Sequence, residues 1–276
     1  MKPVIKWPGG KASVLKHFED LIKPNLNENN TFYEPFAGGL AVSLALQHKN
    51  TVVNDLNSEL INMYKVIRDN PEALISELKC FQNSHNNEFY YHVRNLDRTD
   101  MLSRMTDVVK AARTIYLNKT CFNGLYRVNS KGQFNSPIGR TSSGKTPDIV
   151  QEDLIREMSQ YLKTVQFYNT DYRNCLVLAK AGDVIYLDPP YDQDESISTD
   201  GFVGYQKEGW TRENLRELKR LCDELIFRGC KVIISNNDTE FVRKLFAEYK
   251  FREIEVKRSI NRDGNKRKGK ELVIYN

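Results

Sequence analysis

Apolar and polar positions along the chain switch between a helical and a strand period. Over Lys11 to Lys23, Val14, Leu15, Phe18, Leu21 and Ile22 share one face, which predicts an amphipathic helix. Thr31-Phe32-Tyr33-Glu34 reads as a buried strand ending at Pro35, and Gly38-Gly39 open a helix that runs through Leu46. Thr51 to Asp55 is a second strand, followed by a helix with Leu60, Ile61, Tyr64 and Ile67 in register. Strand, helix, strand, helix implies a parallel sheet covered by helices, an α/β fold.

From about Asn70 to Leu162 the pattern becomes helical, polar and strand-poor, with a Gly/Asn/Ser-rich basic stretch from Asn118 to Pro147. Strand patterns return at Val165–Tyr168, Asp183–Leu187 and Lys231–Ile234. Arg252–Ser259 and Glu271–Tyr275 flank a basic turn, Asn261–Lys270, and read as a closing antiparallel hairpin. The simplest architecture is one sheet domain interrupted by a helical insertion.

Composition narrows the class. The 276 residues are 40% hydrophobic and 11% aromatic, enough for a substantial core and unlike a disordered or disulfide-scaffold chain. Apolar runs are short, so no membrane span is expected, and the first residues show no signal-peptide core. Five scattered cysteines without a Cys-x-x-Cys pair fit buried thiols in a reducing compartment. Four histidines without ligand spacing argue against a metal site. The net charge of +5 hides an uneven distribution. Val108 to Pro147 holds seven basic residues and no acidic one, and Lys257 to Lys270 holds seven against Asp263 alone, so the rest of the chain is acidic. Two basic surfaces on an acidic body point to a polyanion partner, most often nucleic acid.

Chemistry concentrates at three places. Asp188-Pro189-Pro190-Tyr191 follows the apolar strand directly. It sets a carboxylate, two rigid prolines and an aromatic ring at the carboxyl end of a strand, where open α/β sheets bind ligands. Two successive prolines stiffen the carboxylate and the adjoining carbonyls. Rigid acceptors beside a ring suit an exocyclic amino group on a planar base. The second place is Phe32 to Gly39, a glycine turn after a strand, with Asp55 at the end of the next strand, in the layout of a nucleoside site. The third is Lys6-Trp7-Pro8-Gly9-Gly10-Lys11, an indole and a lysine ahead of the first helix.

Gly139 to Thr146 also matches Gly-x-x-x-x-Gly-Lys-Thr, the phosphate loop of NTPases. Its context is wrong for an ATPase. Gln133 to Ile138 is polar and contains Pro137, unlike a central strand, and Pro147 follows at once where a helix should begin.

The three blocks, in this order, resemble the Dam-type DNA adenine-N6 methyltransferases, and the resemblance spans nearly the whole chain. It implies a Rossmann-like methyltransferase sheet, mostly parallel with a C-terminal antiparallel hairpin, plus a helical DNA-recognition insertion. Residues 1–62 and 163–276 would form the S-adenosylmethionine-binding catalytic domain and 63–162 the target-recognition insertion. The reaction would move a methyl group from S-adenosylmethionine to N6 of a flipped adenine in duplex DNA, within GATC in many members. Asp188, Pro189, Pro190 and Tyr191 would be catalytic; Trp7, Lys11, Glu34, Phe36, Gly38, Asp55, Asp171 and Asp188 would line the cofactor. Phe122–Asn129 and Gly132–Arg140 look like the family's target-recognition segment, so Asn123, Leu125, Arg127, Pro137 and Arg140 would touch DNA, as would Lys266, Arg267 and Lys268 of the tail. Arg127 would read a guanine through O6 and N7. Thr141 stands where the family commonly has an aromatic residue. No metal and no obligatory protein partner are implied, and the location would be cytoplasmic and nucleoid-associated. The alternatives are an RNA amino-methyltransferase, which the same tetrad would suit, a P-loop ATPase resting on Gly139–Thr146 alone, and a non-catalytic DNA-binding regulator.

Overall fold

The computed structural model describes residues 1–139, 147–193, 210–257 and 268–276, with Lys257 and Lys268 described by their backbone alone. Its strands are β1 (Phe32–Glu34), β2 (Thr51–Asn54), β3 (Val165–Tyr168), β4 (Val184–Leu187), β5 (Lys231–Asn237), β6 (Lys250–Lys257) and β7 (Lys268–Tyr275). They form one sheet in the order β3-β2-β1-β4-β5-β7-β6. Strands β1, β2, β4 and β5 run parallel, with Phe32 opposite Thr51 and Val184, and Leu187 opposite Ile234. Strand β7 lies antiparallel to β5 and β6 antiparallel to β7. Every residue of β1, β2 and β4 is buried, as parallel strands covered on both faces require. The mixed sheet is the Rossmann-like arrangement expected from the sequence.

The chain packs as two compact units. One comprises Met1–Gly10, Gly38–Lys49 and Asp55–Asn169. It carries β3 and seven helices: α1 (Ala41–Leu46), α2 (Ser58–Asp69), α3 (Pro71–Asn83), α4 (Asn87–Asn95), α5 (Met101–Arg104), α6 (Asp107–Thr120) and α7 (Glu152–Leu162). Asn57 caps α2 by accepting from the Glu59 and Leu60 amides, and Thr106 caps α6 through the Val109 amide. Helix α6 packs on α2 and α3, and α2 also on α7. Arg113, on α6, is 1% exposed, and each of its guanidinium nitrogens has an acceptor. Its guanidinium bonds the Val93 and Arg94 carbonyls and pairs with Glu59 at 3.2 Å and Asp97 at 2.8 Å. Asp97 in turn accepts from the Phe134 amide at 2.8 Å. The region expected to recognise the target, 63–162, lies within the Asp55–Asn169 stretch of this unit.

The other unit comprises Lys11–Ala37, Asn50–Asn54 and Thr170–Asn276. It holds the remaining strands with α8 (Tyr172–Cys175), α9 (Arg212–Phe227) and α10 (Glu240–Leu245). Helix α9 begins with a capping box between Thr211 and Asn214. Its apolar face (Leu215, Leu218, Cys222, Leu225) joins Ile185, Leu187, Val232, Ile234, Leu272 and Ile274 in one core. The exits of β1 and β2 are tied by Asn54, whose amide donates to the Pro35 and Thr170 carbonyls.

One local expectation is corrected. Lys11 to Asn25 is a succession of 3-10 turns, closed by bonds such as Val14 N to Lys11 O, rather than an amphipathic α-helix. Val14, Leu15, Phe18 and Ile22 are still buried. Apolar spacing of three and four fixes which side faces inward and does not separate an α-helix from linked 3-10 turns. The helix expected to open at Gly38-Gly39 starts later, at Ala41, because Leu40 is left-handed at φ 61°. Arg140, Lys266, Arg267, most of the Gly139–Thr146 loop and most of the Asn261–Lys270 turn lie outside the described residues. Lys268 opens β7.

Removing one member of a buried ion network strands the rest without a counter-charge, at about 3–5 kcal/mol. Arg113→Met is therefore expected to lower the melting temperature by roughly 10 °C, measured by circular dichroism; a shift within about 2 °C would show that the network contributes little.

Candidate active site

In the sheet unit, β4 delivers Asp188 to the carboxyl edge. Its Oδ2 meets Lys11 Nζ at 3.0 Å, and the two side chains are 19% and 5% exposed. Its Oδ1 is buried and has no hydrogen-bond partner among the described residues. Burial pushes the Asp188 carboxyl above the ordinary aspartate range, and the Lys11 ammonium pulls it part of the way back. Lys11 Nζ also lies 4.9 Å from the centroid of the Tyr191 ring. The Tyr191 hydroxyl donates to Glu271 Oε2 at 3.1 Å. Burial, then the Asp188 and Glu271 charges, hold that phenol protonated. Pro189 is buried and Pro190 exposed.

The backbone beyond the tetrad is clamped. The Asp192 amide donates to Asn236 Oδ1 at 3.0 Å, and the Asp192 carbonyl accepts from Asn237 Nδ2 at 2.7 Å. The Asp192 carboxylate takes Arg212 Nε at 3.0 Å and Thr239 Oγ1 at 2.6 Å. Nearby on this unit, Phe36 packs on Tyr172 at 5.0 Å and edge-on to Trp210 at 5.7 Å between ring centroids. Glu34 is buried at the end of β1. Asp171 caps α8, and its carboxylate lies in the fork of Arg173 with contacts of 2.8 and 2.9 Å. Arg173 therefore holds the Asp171 carboxyl below its usual range.

In the helical unit, Gly38 has φ +45°. Its amide donates to Asp55 Oδ2 at 2.8 Å, and its carbonyl accepts from the Tyr64 hydroxyl at 2.6 Å. Asp55 Oδ1 accepts from the Asn57 amide at 2.8 Å. Burial raises the Asp55 carboxyl, opposed by these two amides. Each oxygen of a carboxylate can accept more than one donor, so Asp55 retains capacity for a ligand's hydroxyls. Trp7 lies across the turn: a Cβ on Gly38 would come within 2.7 Å of its Cδ1, and one on Gly39 within 2.9 Å of its Cβ.

The two segments expected to read the target form one hairpin-like loop after α6. Isolated bridges pair Cys121 with Ile138 and Val128 with Phe134, and the Asn135 amide donates to the Arg127 carbonyl. Asn123, Arg127 and Pro137 are exposed on it and Leu125 is half-buried. Arg127 Nε donates to Asn135 Oδ1 at 2.7 Å, which fixes the guanidinium on the loop surface.

The sequence matches a known family. The model of the D12 class N6 adenine-specific DNA methyltransferases matches residues 7–260. The chain belongs to that family. It is 36% identical over its whole length to a type II methyltransferase of Lactococcus lactis subsp. cremoris, covering 95% of that protein. It is 35% identical, again over its whole length, to a type II methyltransferase of Methanocaldococcus jannaschii, covering 99% of it. A DNA adenine methylase of Haemophilus influenzae is 31% identical over 99% of this chain and 92% of its own. Family membership makes the protein a DNA adenine-N6 methyltransferase.

The structure thus brings together Lys11, Asp188, Pro189 and Tyr191 in one unit, and Trp7, Gly38 and Asp55 in the other. Asp171 is occupied by Arg173. The sequence reading gave no site role to Glu271 or Asn236. Asn236 lies in the last two residues of β5, at the carboxyl end where the rule that found Asp188 could have found it. Glu271 carries no signal of its own, being joined to Tyr191 only by the fold. Among the described residues no group of three or more His, Cys, Asp or Glu side chains could hold a metal ion. No described helix is long and apolar enough to cross a membrane.

Alanine at position 38 must adopt a left-handed backbone and displace the Trp7 indole. Gly38→Ala is expected to destabilise the protein by about 2 kcal/mol or more, read from urea unfolding; a change under about 0.5 kcal/mol would mean that the turn relaxes freely.

Proposed function

We propose that this DNA adenine-N6 methyltransferase takes its methyl group from S-adenosylmethionine and delivers it to a flipped adenine in duplex DNA, within GATC. The observation that carries the reading is the buried Asp188 Oδ1, an acceptor without a partner at the carboxyl end of β4. A target amino group inside a duplex is out of reach, so its base must leave the stack at a cost of a few kcal/mol. The Tyr191 ring would stack on the extruded purine and offset part of that cost. Asp188 Oδ1 and the Pro189 carbonyl would accept the two N6 hydrogens, drawing the nitrogen lone pair out of the ring and toward the methyl group. As the new carbon–nitrogen bond forms, N6 gives up one hydrogen as a proton, and the acceptors on that side are the Asp188 carboxylate and solvent. Most of the acceleration on this reading comes from positioning.

The residues fit the cofactor. It supplies, when bound, a methyl group on a sulfonium that is already a good leaving centre. Carboxylates suit its positive charge and ribose hydroxyls: Asp188 and Glu34 on the sheet unit, and Asp55 on the helical unit. Phe36, Trp7, Lys11 and Gly38 complete the proposed set. Asp171 would join it only by releasing Arg173. On the recognition loop, Arg127 would read guanine, with Asn123, Leu125 and Pro137 beside it. Arg140, Lys266, Arg267 and Lys268 would hold phosphates and so set affinity rather than sequence. We assign the catalytic role to 1–62 and 163–276 and target recognition to 63–162. The relatives named DNA adenine methylase support the adenine target. An enzyme of this kind works on the nucleoid.

The experiment is methylation of a GATC duplex, followed by mass spectrometry of the nucleosides. Wild type is expected to yield N6-methyladenine, and Asp188→Ala to retain DNA binding while losing at least about 100-fold in kcat, the scale of one preorganised electrostatic contact. Full turnover by Asp188→Ala would remove the aspartate from the mechanism, and no methylation of GATC by wild type would remove that target.

A pH profile tests the same carboxylate. Asp188 must be ionised to accept the amino hydrogens, and its pKa is raised by burial, so kcat falls on acidification at a higher pH than an ordinary aspartate near 3.9 would give. Lys11→Met removes the charge that opposes the rise. Its acidic limb at saturating substrates is expected further toward neutrality; a limb that stays in place would separate Lys11 from Asp188 in function.

A further inference from the structure

The residue after the tetrad takes no part in the chemistry proposed above, yet each of its polar groups is engaged. Asp192 is 6% exposed. Its amide donates to Asn236 Oδ1 and its carbonyl accepts from Asn237 Nδ2, both at the exit of β5. Its carboxylate accepts from Arg212, the first residue of α9. It also accepts from the hydroxyl of Thr239, which caps α10 through the Val242 amide. Asn237 lies directly opposite Glu271 in the β5–β7 register, and Glu271 takes the Tyr191 hydroxyl. One pair of hydrogen-bonded strands thus holds Tyr191 by the tip of its ring and by the residue that follows it.

This arrangement is kept at a cost. Asn236 is fully buried, and its Oδ1 accepts from two amides, those of Asp192 and Asn237, at 3.0 and 2.9 Å. Turning the side chain over would set its NH2 against two N–H groups. Nδ2 is left buried without a hydrogen-bond partner among the described residues. A buried donor that makes no bond lowers stability. Places where a fold gives up stability for a fixed geometry are, as a rule, functional ones.

We propose that Asp192 is a positioning residue for methyl transfer. By tying the backbone beyond Tyr191 to β5, α9 and α10, it sets the Tyr191 ring beside the Asp188 carboxylate before the target base arrives. This rests on the reading of Asp188 and Tyr191 given above. Asp192 touches neither base nor cofactor in that reading and acts through Tyr191. A misplacement of about 1 Å at the reacting atoms lowers a rate by on the order of 100-fold, so the clamp acts on the transfer step itself.

The test is single-turnover methylation of plasmid DNA prepared without adenine methylation, by the full chain with S-adenosylmethionine. It yields a rate constant and an amplitude. Loss of folded protein lowers the amplitude, whereas a misplaced ring lowers the rate constant. Asp192→Ala is expected to lower the rate constant by about 10- to 100-fold. The S-adenosylmethionine concentration that half-saturates it is expected to stay within about twofold of wild type. Asp192→Asn has nearly the same shape; its amide can accept from Arg212 through oxygen and donate to the Thr239 hydroxyl. It is expected to restore the rate constant to within about threefold of wild type. A rate constant unchanged in Asp192→Ala, or lowered equally in Asp192→Asn, overturns the proposal. A second variant does not depend on the folding of Asp192→Ala. The Arg212 side chain is 34% exposed, and Arg212→Ala opens one side of the clamp alone. It is expected to lower the rate constant by about three- to tenfold, and a rate constant equal to that of wild type contradicts the proposal. A wild type that methylates no adenine in the plasmid overturns the reading of Asp188 and Tyr191 beneath it, and the proposal falls with it.

Discussion

The site is organised by a carboxylate that the fold places in a poorly solvated position and pairs with one lysine. Burial works against ionisation of Asp188, and Lys11, itself buried, opposes that through a 3.0 Å contact. Only one of its oxygens is used in this way. The other stays desolvated and directional, which is the state in which an acceptor interacts most strongly with an amino group. A fully exposed aspartate would be ionised with no help, yet its interactions would be weakened by water. The prolines, the Tyr191–Glu271 bond and the clamp on Asp192 all limit how far this carboxylate can move.

A different constraint governs the helical unit. There the indole leaves no room for a Cβ at either glycine of the turn, and the Gly38 amide donates to Asp55. The loop after α6, proposed to read the target, is tied to ionic groups: Tyr126 reaches Glu59, and the Phe134 amide reaches Asp97, with Arg113 between the two carboxylates. Buried ion pairs of this kind add little net stability over apolar packing. Their use here is geometric, since they fix where the loop leaves the helices while its outer residues remain exposed.

Much of this was legible in the sequence because strong local rules applied. The buried strands stood out as apolar runs, and the carboxyl-edge rule picked out Asp188 without any partner in view. The glycine turn and Asp55 were recognisable from spacing. What stayed hidden depended on contacts between distant positions. Lys11 was singled out, but its pairing with Asp188 spans most of the chain, and no periodicity reports it. Nothing local marks Tyr126 within the Phe122–Asn129 segment, because its ring packs on Trp7, which comes from the amino terminus. The segment after Lys11 failed as a helix for another reason: its apolar spacing is shared by two backbone geometries, and burial alone does not choose between them. Asp171 shows the same limit from another side: its carboxylate is taken by Arg173, a pairing that its position after a strand does not reveal.

The central claim is that Asp188 Oδ1 receives an amino hydrogen of an extruded adenine. The most direct measurement is a crystal structure of the protein with a GATC duplex and S-adenosylhomocysteine. The account predicts the adenine outside the helix, its N6 about 2.7–3.2 Å from Asp188 Oδ1, with Tyr191 against the ring. An adenine still stacked in the duplex, or an extruded one whose N6 is bonded elsewhere, would contradict it.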